Sequence, residues 1–181
     1  MYADDARTKG ANVNGALLEA FRHNGWATKQ LLATCRGLSE EQLTASATGT
    51  YGGILATFNH LIQAEGGYGR RLAGTGGFDW VDDEDENADL DQLEMRADEL
   101  EALWQQLLQS EPFDAERVVF LDEGTYEARA GVILAQALHH GSVHREQICA
   151  ILTSLGMQPP DLQAWAWGEA TGRAKELTAD H

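Results

Sequence analysis

His140 and His144 stand four residues apart inside an otherwise apolar run from Ala137 to Leu155. At helical periodicity that spacing stacks both imidazoles on one face, close enough to share a single metal ion. On a wheel of about 100° per residue, Ile133, Ala137, Ile148, Ile151 and Leu155 fall on the same side, while Leu138, Arg145 and Cys149 point roughly opposite. The pair therefore lies within a buried stripe, where an unpartnered polar group costs about 1 to 3 kcal/mol. Gln136 and Gln147 share that azimuth and supply donors and acceptors that can orient the rings. The residues alone leave two readings, a metal site or two core histidines satisfied by hydrogen bonds, and two imidazoles side by side favour the metal. His139 sits a quarter turn away, as a wall or surface residue.

Four long helical patterns must position this pair. The first runs from about Asn12 to Cys35, with Leu17, Phe21, Leu31, Leu32 and Cys35 on one side and with Asn24 and Thr28 interrupting the stripe as residues that could face a site. Ser39 followed three residues later by Gln42 marks a capping box for a short turn. The second pattern, about Thr50 to Leu72, buries Ile54, Phe58, Leu61, Ile62 and Leu72. His60 flanks that stripe beside the small residues Gly53, Thr57, Ala64 and Gly67, and on this evidence alone it is a boundary hydrogen-bonding residue. The third carries Leu93, Ala97, Leu100, Trp104 and Leu107 and ends near Ser110, where Glu111-Pro112 closes it. Val118 to Arg129 reads as a small β-hairpin turning at Asp122-Glu123-Gly124. The fourth helix spans about Gly131 to Leu155. After Pro159-Pro160, Asp161 can cap a short helix from which Leu162 and Trp165 cover the core, with Trp167 as a lesser contributor.

The expected fold is all-α, an antiparallel four-helix bundle with a small β-hairpin before the last long helix and a short C-terminal helix. Its expected limits are a tail over 1–11, one domain over 12–171 and a frayed end over 172–181. The centre of such a bundle is a common place for metal sites built from facing helices.

Composition narrows the function. The 181 residues carry 13 Lys and Arg against 29 Asp and Glu, a formal net charge of -16, which argues against a nucleic-acid partner because phosphate neutralisation needs a basic face. No window approaches the roughly 20 apolar residues of a membrane span, and the Met-Tyr-Ala-Asp-Asp start lacks the apolar core of a signal peptide, so a cytoplasmic protein with no membrane partner is expected. The acids Asp79, Asp82, Asp83, Glu84, Asp85, Glu86, Asp89 and Asp91 read as a solvated connection, without the alternation and central glycine of a calcium loop. Cys35 and Cys149 show no CxxC pairing and are assigned no role. Neither GxGxxG nor a Walker A motif nor a nucleophile elbow is present.

Three stretches carry a family likeness. Asn24-Gly25-Trp26-Ala27, Phe58-Asn59-His60-Leu61-Ile62-Gln63-Ala64-Glu65 and His140-Gly141-Ser142-Val143-His144-Arg145-Glu146-Gln147-Ile148 together resemble the DinB/YfiT-like family of metalloenzymes. The resemblance covers nearly the whole chain. It implies that His60 joins His140 and His144 in a three-histidine site for a divalent ion (zinc, nickel, iron or cobalt) and that homodimers are common. The chain departs from many members at Val143, where they carry another histidine, and at Glu146, where they carry glycine.

Three histidines leave coordination positions open. Characterised branches of the family are transferases that use a low-molecular-weight thiol, and a thiol-dependent maleylpyruvate isomerase. The resemblance thus implies a metal-dependent transferase that activates such a thiol for attack on a small electrophile. The alternatives are a hydrolase using metal-activated water and a non-catalytic metal-binding stress-response protein. Gln147, Glu65, Trp26 and Tyr68 are candidates for the surroundings of the site. The wheel sets Glu65 more than a third of a turn from His60, as an exposed or interfacial carboxylate, and Arg145 away from the ligands, in a salt bridge within or between subunits.

Overall fold

A computed structural model of the chain describes residues 14–74, 78–81, 87–109, 112–121 and 124–177. Helix α1 (Gly15–Cys35) buries Leu18, Phe21, Asn24, Ala27, Thr28, Leu31, Leu32 and Cys35 at helical spacing. Its expected start at Asn12 lies outside the described residues. Helix α2 (Glu40–Thr44) begins with the expected capping box: Ser39 Oγ accepts from the Gln42 amide, and the Ser39 amide donates to Gln42 Oε1. Helix α3 (Ile54–Ala73) stops at Gly74, whose φ of 77° is the left-handed geometry that glycine adopts without strain.

A 3-10 turn (Asp79–Val81) and helix α4 (Leu90–Gln109) follow, and the acidic positions 82–86 between them lie outside the described residues, as do Ser110 and Glu111. Asn59 fixes the entry to α4, since its amide donates to the Ala88 carbonyl at 3.0 Å and accepts from the Ala88 amide at 3.0 Å.

Strands β1 (Val118–Leu121) and β2 (Tyr126–Arg129) form the expected antiparallel hairpin, with Val118 opposite Arg129 and Leu121 opposite Tyr126. Asp122 and Glu123 of its turn lie outside the described residues. Helix α5 (Ala130–Ser154) starts directly from β2, and helix α6 (Ala164–Ala170) comes last. Asp161 Oδ1 accepts from the Gln163 amide just ahead of α6.

The described fold is mostly helical, with six helices and one two-stranded hairpin. Helix α1 packs against α4 and α5, and α3 packs against the same two. Phe58, Leu61, Ile62, Leu93, Leu108, Ile148, Ile151 and Leu152 are fully buried between them, each contributing about 1.5 to 3 kcal/mol by its removal from water. The Phe21 and Trp104 rings pack at 4.1 Å between centroids. Gly69 permits the close approach of α4, because a Cβ there would stand 2.5 Å from Leu103 Cδ2.

One expectation for the C-terminal segment changes. Trp165 does not cover the core but stands 73% exposed, whereas Leu162 is packed onto it and Trp167 is half-buried beneath the Arg173 guanidinium. Just after α6 the Arg173 and Ala174 amides both donate to the Gly168 carbonyl, and positions 178–181 of the expected frayed end lie outside the described residues. No described helix is long and apolar enough to cross a membrane.

Candidate metal centre

The packing of α3 on α5 brings His60 opposite His140 and His144. One ring nitrogen from each of the three lies within 4.8 Å of the others, and together they form a group that could hold a metal ion. His60 Nε2 and His140 Nε2 are 3.1 Å apart. Two nitrogens on a tetrahedral ion at ordinary bond length stand about 3.3 Å apart, so this pair already has ligand spacing. The widest pair closes with a ring movement of about 1.5 Å.

His140 Nδ1 is buried without a hydrogen-bond partner, a state that native interiors seldom tolerate. Burial pushes His140 down to about 4, and the neighbouring His144, His60 and His139 push in the same direction. The ring is therefore neutral near pH 7, the form that binds a cation.

His144 is aimed by its surroundings. Its Nδ1 lies 2.9 Å from Gln147 Oε1, and the same oxygen accepts from the Tyr51 backbone amide at 3.1 Å. A backbone amide can only donate, which fixes the Gln147 amide with its oxygen toward both partners. His144 Nδ1 must then carry the proton, leaving the Nε2 lone pair for a ligand. The Tyr51 ring stacks on His60 at 4.1 Å between centroids and meets His144 edge-on at 5.7 Å. Tyr68 meets His140 edge-on at 5.9 Å, and its hydroxyl accepts from Gln136 Nε2 at 3.4 Å. This cluster of imidazoles, with an aromatic cover and no other ligand in the group among the described residues, has the donor chemistry of a borderline divalent ion.

A sequence model of the DinB family matches residues 10–175, nearly the whole chain. The chain belongs to the DinB family. No curated protein matches it.

Within this DinB chain, two of the four expected neighbours lie at the histidines and two do not. Gln147 and Tyr68 touch them. Trp26 instead lines a separate surface pocket with Arg22, Lys29 and Trp167, because its position on α1 faces α4 and α6. Glu65 is not exposed: it is 5% accessible, buried where α3 meets α1 and α4. Trp104 Nε1 donates to its Oε1 at 2.8 Å, and Asn24 Nδ2 donates to both carboxylate oxygens at 3.0 and 3.1 Å. Burial pushes the Glu65 carboxyl up, against the opposing pull of Arg145, Trp104 and Asn24.

Arg145 is also buried, and its partner is not a direct salt bridge. Its Nη1 donates to Asn24 Oδ1 at 2.8 Å and to Thr28 Oγ1 at 3.1 Å, so the Asn24 amide bridges Arg145 and Glu65. Asn24 and Thr28, the interruptions in the α1 stripe, thus face an internal polar network and not the histidines. Gly141 makes room for it, since a Cβ there would stand 2.7 Å from Asn24 Oδ1.

Tyr51 is the site residue that sequence reasoning missed. It stands in an irregular glycine-rich stretch before α3, where the expected second helix, from about Thr50, starts only at Ile54. A groove of about 860 Å³ between α5 and the segment before α6 contains Cys149 and Glu146 and none of the three histidines.

Proposed function

We propose that this DinB protein is a metal-dependent enzyme acting on small molecules, with His60, His140 and His144 holding one divalent ion of zinc, nickel, iron or cobalt. In this reading it is a transferase that activates a low-molecular-weight thiol for attack on a small electrophile. The observation that carries the reading is the set of three ring nitrogens within 4.8 Å, with no fourth protein ligand in the group among the described residues. Three ligands leave positions for an exchangeable molecule, where a closed structural site takes four. An ion bound there lowers the pKa of a coordinated thiol or water and so supplies a nucleophile at neutral pH.

The protein's own part is orientation. Gln147 holds the His144 tautomer, Tyr51 covers His60, and Tyr68 closes the His140 side. The chain's own thiols are poor nucleophiles, because burial raises Cys35 to about 12 and Cys149 to about 11. A thiol nucleophile therefore has to come from a small molecule. The proposal takes α1, α3, α4 and α5 as a four-helix bundle, and it takes the working protein as a cytoplasmic homodimer.

Elemental analysis of the untagged protein tests the reading, alongside His60→Ala and His144→Ala. Near-stoichiometric metal that is lost in both variants, with a change in the cobalt spectrum when a thiol is added, supports the transferase. Metal that binds without responding to thiols moves the reading to activated water or to a non-catalytic role. A folded protein that takes up no metal refutes it.

A further inference from the structure

His60 lines a second hollow besides its contact with the other two histidines. This pocket of about 380 Å³ runs along α3 and is lined by His60, Gln63, Gly67, Tyr68, Arg70 and Arg71 among others. Its volume is in the range of small-molecule sites. His60, Ala64, Gly67 and Arg71 follow one another at i, i+4, i+7 and i+11, within about 60° of one another around the helix. They form a single wall with an imidazole at one end and a guanidinium at the other.

The guanidinium is folded back along that wall. A Cβ built on Gly67 would stand 2.9 Å from Arg71 Nη1, so the Arg71 head lies over Gly67, a full turn toward His60 from its own Cα. A basic residue in the last turn of a helix usually serves the exposed carbonyls there. Arg71 does not reach for them, and Arg117 Nη2 takes the Leu72 carbonyl at 2.7 Å.

Charge pairing separates Arg71 from four other cations of this acidic chain. Arg22, Lys29, Arg36 and Arg173 each hold a carboxylate. Among the described residues Arg71 has no ion pair or hydrogen bond, although acids outnumber bases 29 to 13 in the sequence. A protein with net charge -16 repels anions in general. A pocket that joins His60 to the Arg71 guanidinium is the place where a small anion would be favoured.

We infer that Arg71, flanked by Arg70, is the anion-binding end of the pocket and that the molecule handled at the histidines carries a carboxylate or phosphate. The rise from His60 to Gly67 places that group about 10 Å along the helix from the histidines. The inference rests on the proposed function for what happens at the histidine end, while the anion subsite stands by itself.

Calorimetric titration of succinate and of glycerol 3-phosphate tests it, on metal-free and cobalt-loaded protein at low ionic strength. Arg71→Gln removes the charge, and Gly67→Ala keeps the charge but displaces the head. Arg36→Gln, at a surface ion pair with Asp91 and Glu94, controls for net charge. The expected result is saturable binding of at least one probe, weakened about tenfold or more by Arg71→Gln. Gly67→Ala should weaken it in the same direction, and Arg36→Gln should change it by less than about twofold.

Binding of succinate alone assigns a carboxylate, and binding of glycerol 3-phosphate alone assigns a phosphate. Saturable binding of neither probe overturns the inference, as does an equal loss in Arg71→Gln and Arg36→Gln. Stoichiometric metal with anion binding indifferent to Arg71 overturns this inference and leaves the metal reading standing. Arg71-dependent anion binding in a protein that takes up no metal does the reverse.

Discussion

Replacing Asn24 by leucine, close in size but without the amide, tests whether the buried polar network is a structural clamp. The change removes the acceptor that Arg145 Nη1 uses at 2.8 Å and the donor that Glu65 uses at 3.0 and 3.1 Å. Both partners stay buried, at 5% accessibility each. A hydrogen bond to a charged group contributes about 1.5 to 3 kcal/mol, so two of them give an expected loss of about 3 to 6 kcal/mol. Thr28 still accepts from Arg145 and Trp104 still donates to Glu65, which keeps the loss from being larger.

For a chain of this size that loss corresponds to a fall in Tm of about 6 to 24 °C. Denaturant unfolding of the wild type, Asn24→Leu, Arg145→Met and the double variant measures it. The double variant should lose less than the sum of the singles by at least about 1 kcal/mol, because the same bond is removed in both. A single-variant loss below about 1 kcal/mol, or strict additivity, would refute the clamp.

Gln147→Leu should leave the fold intact and weaken metal binding about 10- to 100-fold, since nothing then fixes the His144 tautomer; competition against a chromophoric chelator reads this, and unchanged affinity refutes it. Burial raises the Glu65 carboxyl above its ordinary value of 4.5, so its contribution is fully present below that value and declines as pH rises above it, where the unfolded chain releases a proton that the folded one retains. Glu65→Gln should therefore be most costly near pH 4.5 and progressively less costly as pH rises above it, and a difference from wild type that stays flat with pH sinks the argument. Gly53→Ala should destabilise by about 1 to 3 kcal/mol, because its Cβ would stand 2.5 Å from the Thr44 carbonyl oxygen and α2 would have to move. Thermal unfolding measures that loss, and a variant as stable as wild type contradicts the close contact.

The local parts of the site were legible in the sequence. His140 and His144 are four residues apart on one helix, and periodicity alone puts their rings together. His60 lies eighty residues upstream of His140, and no wheel links separate helices; only the family resemblance placed it. Glu65 was misread because a wheel assumes one buried face, whereas α3 is covered by α4 as well as by α5. The same reasoning explains Arg145, which leaves the histidine face of α5 only to enter the contact with α1. Tyr51 was invisible because it acts through a backbone amide and a ring in an irregular segment. The long helices, the capping box at Ser39 and the hairpin were legible because each is encoded within a few neighbouring residues.

His144 and Arg145 are consecutive, yet one faces the histidine cluster and the other grips Asn24 through the space left by Gly141. Rotational slack in α5 would therefore unseat both at once. The consequence is for portability: a host protein given only the three histidines would receive ligands on a helix free to settle at another azimuth. A faithful transplant would have to carry Arg145, Gly141 and Asn24 as well, although none of these belongs to the three-histidine group.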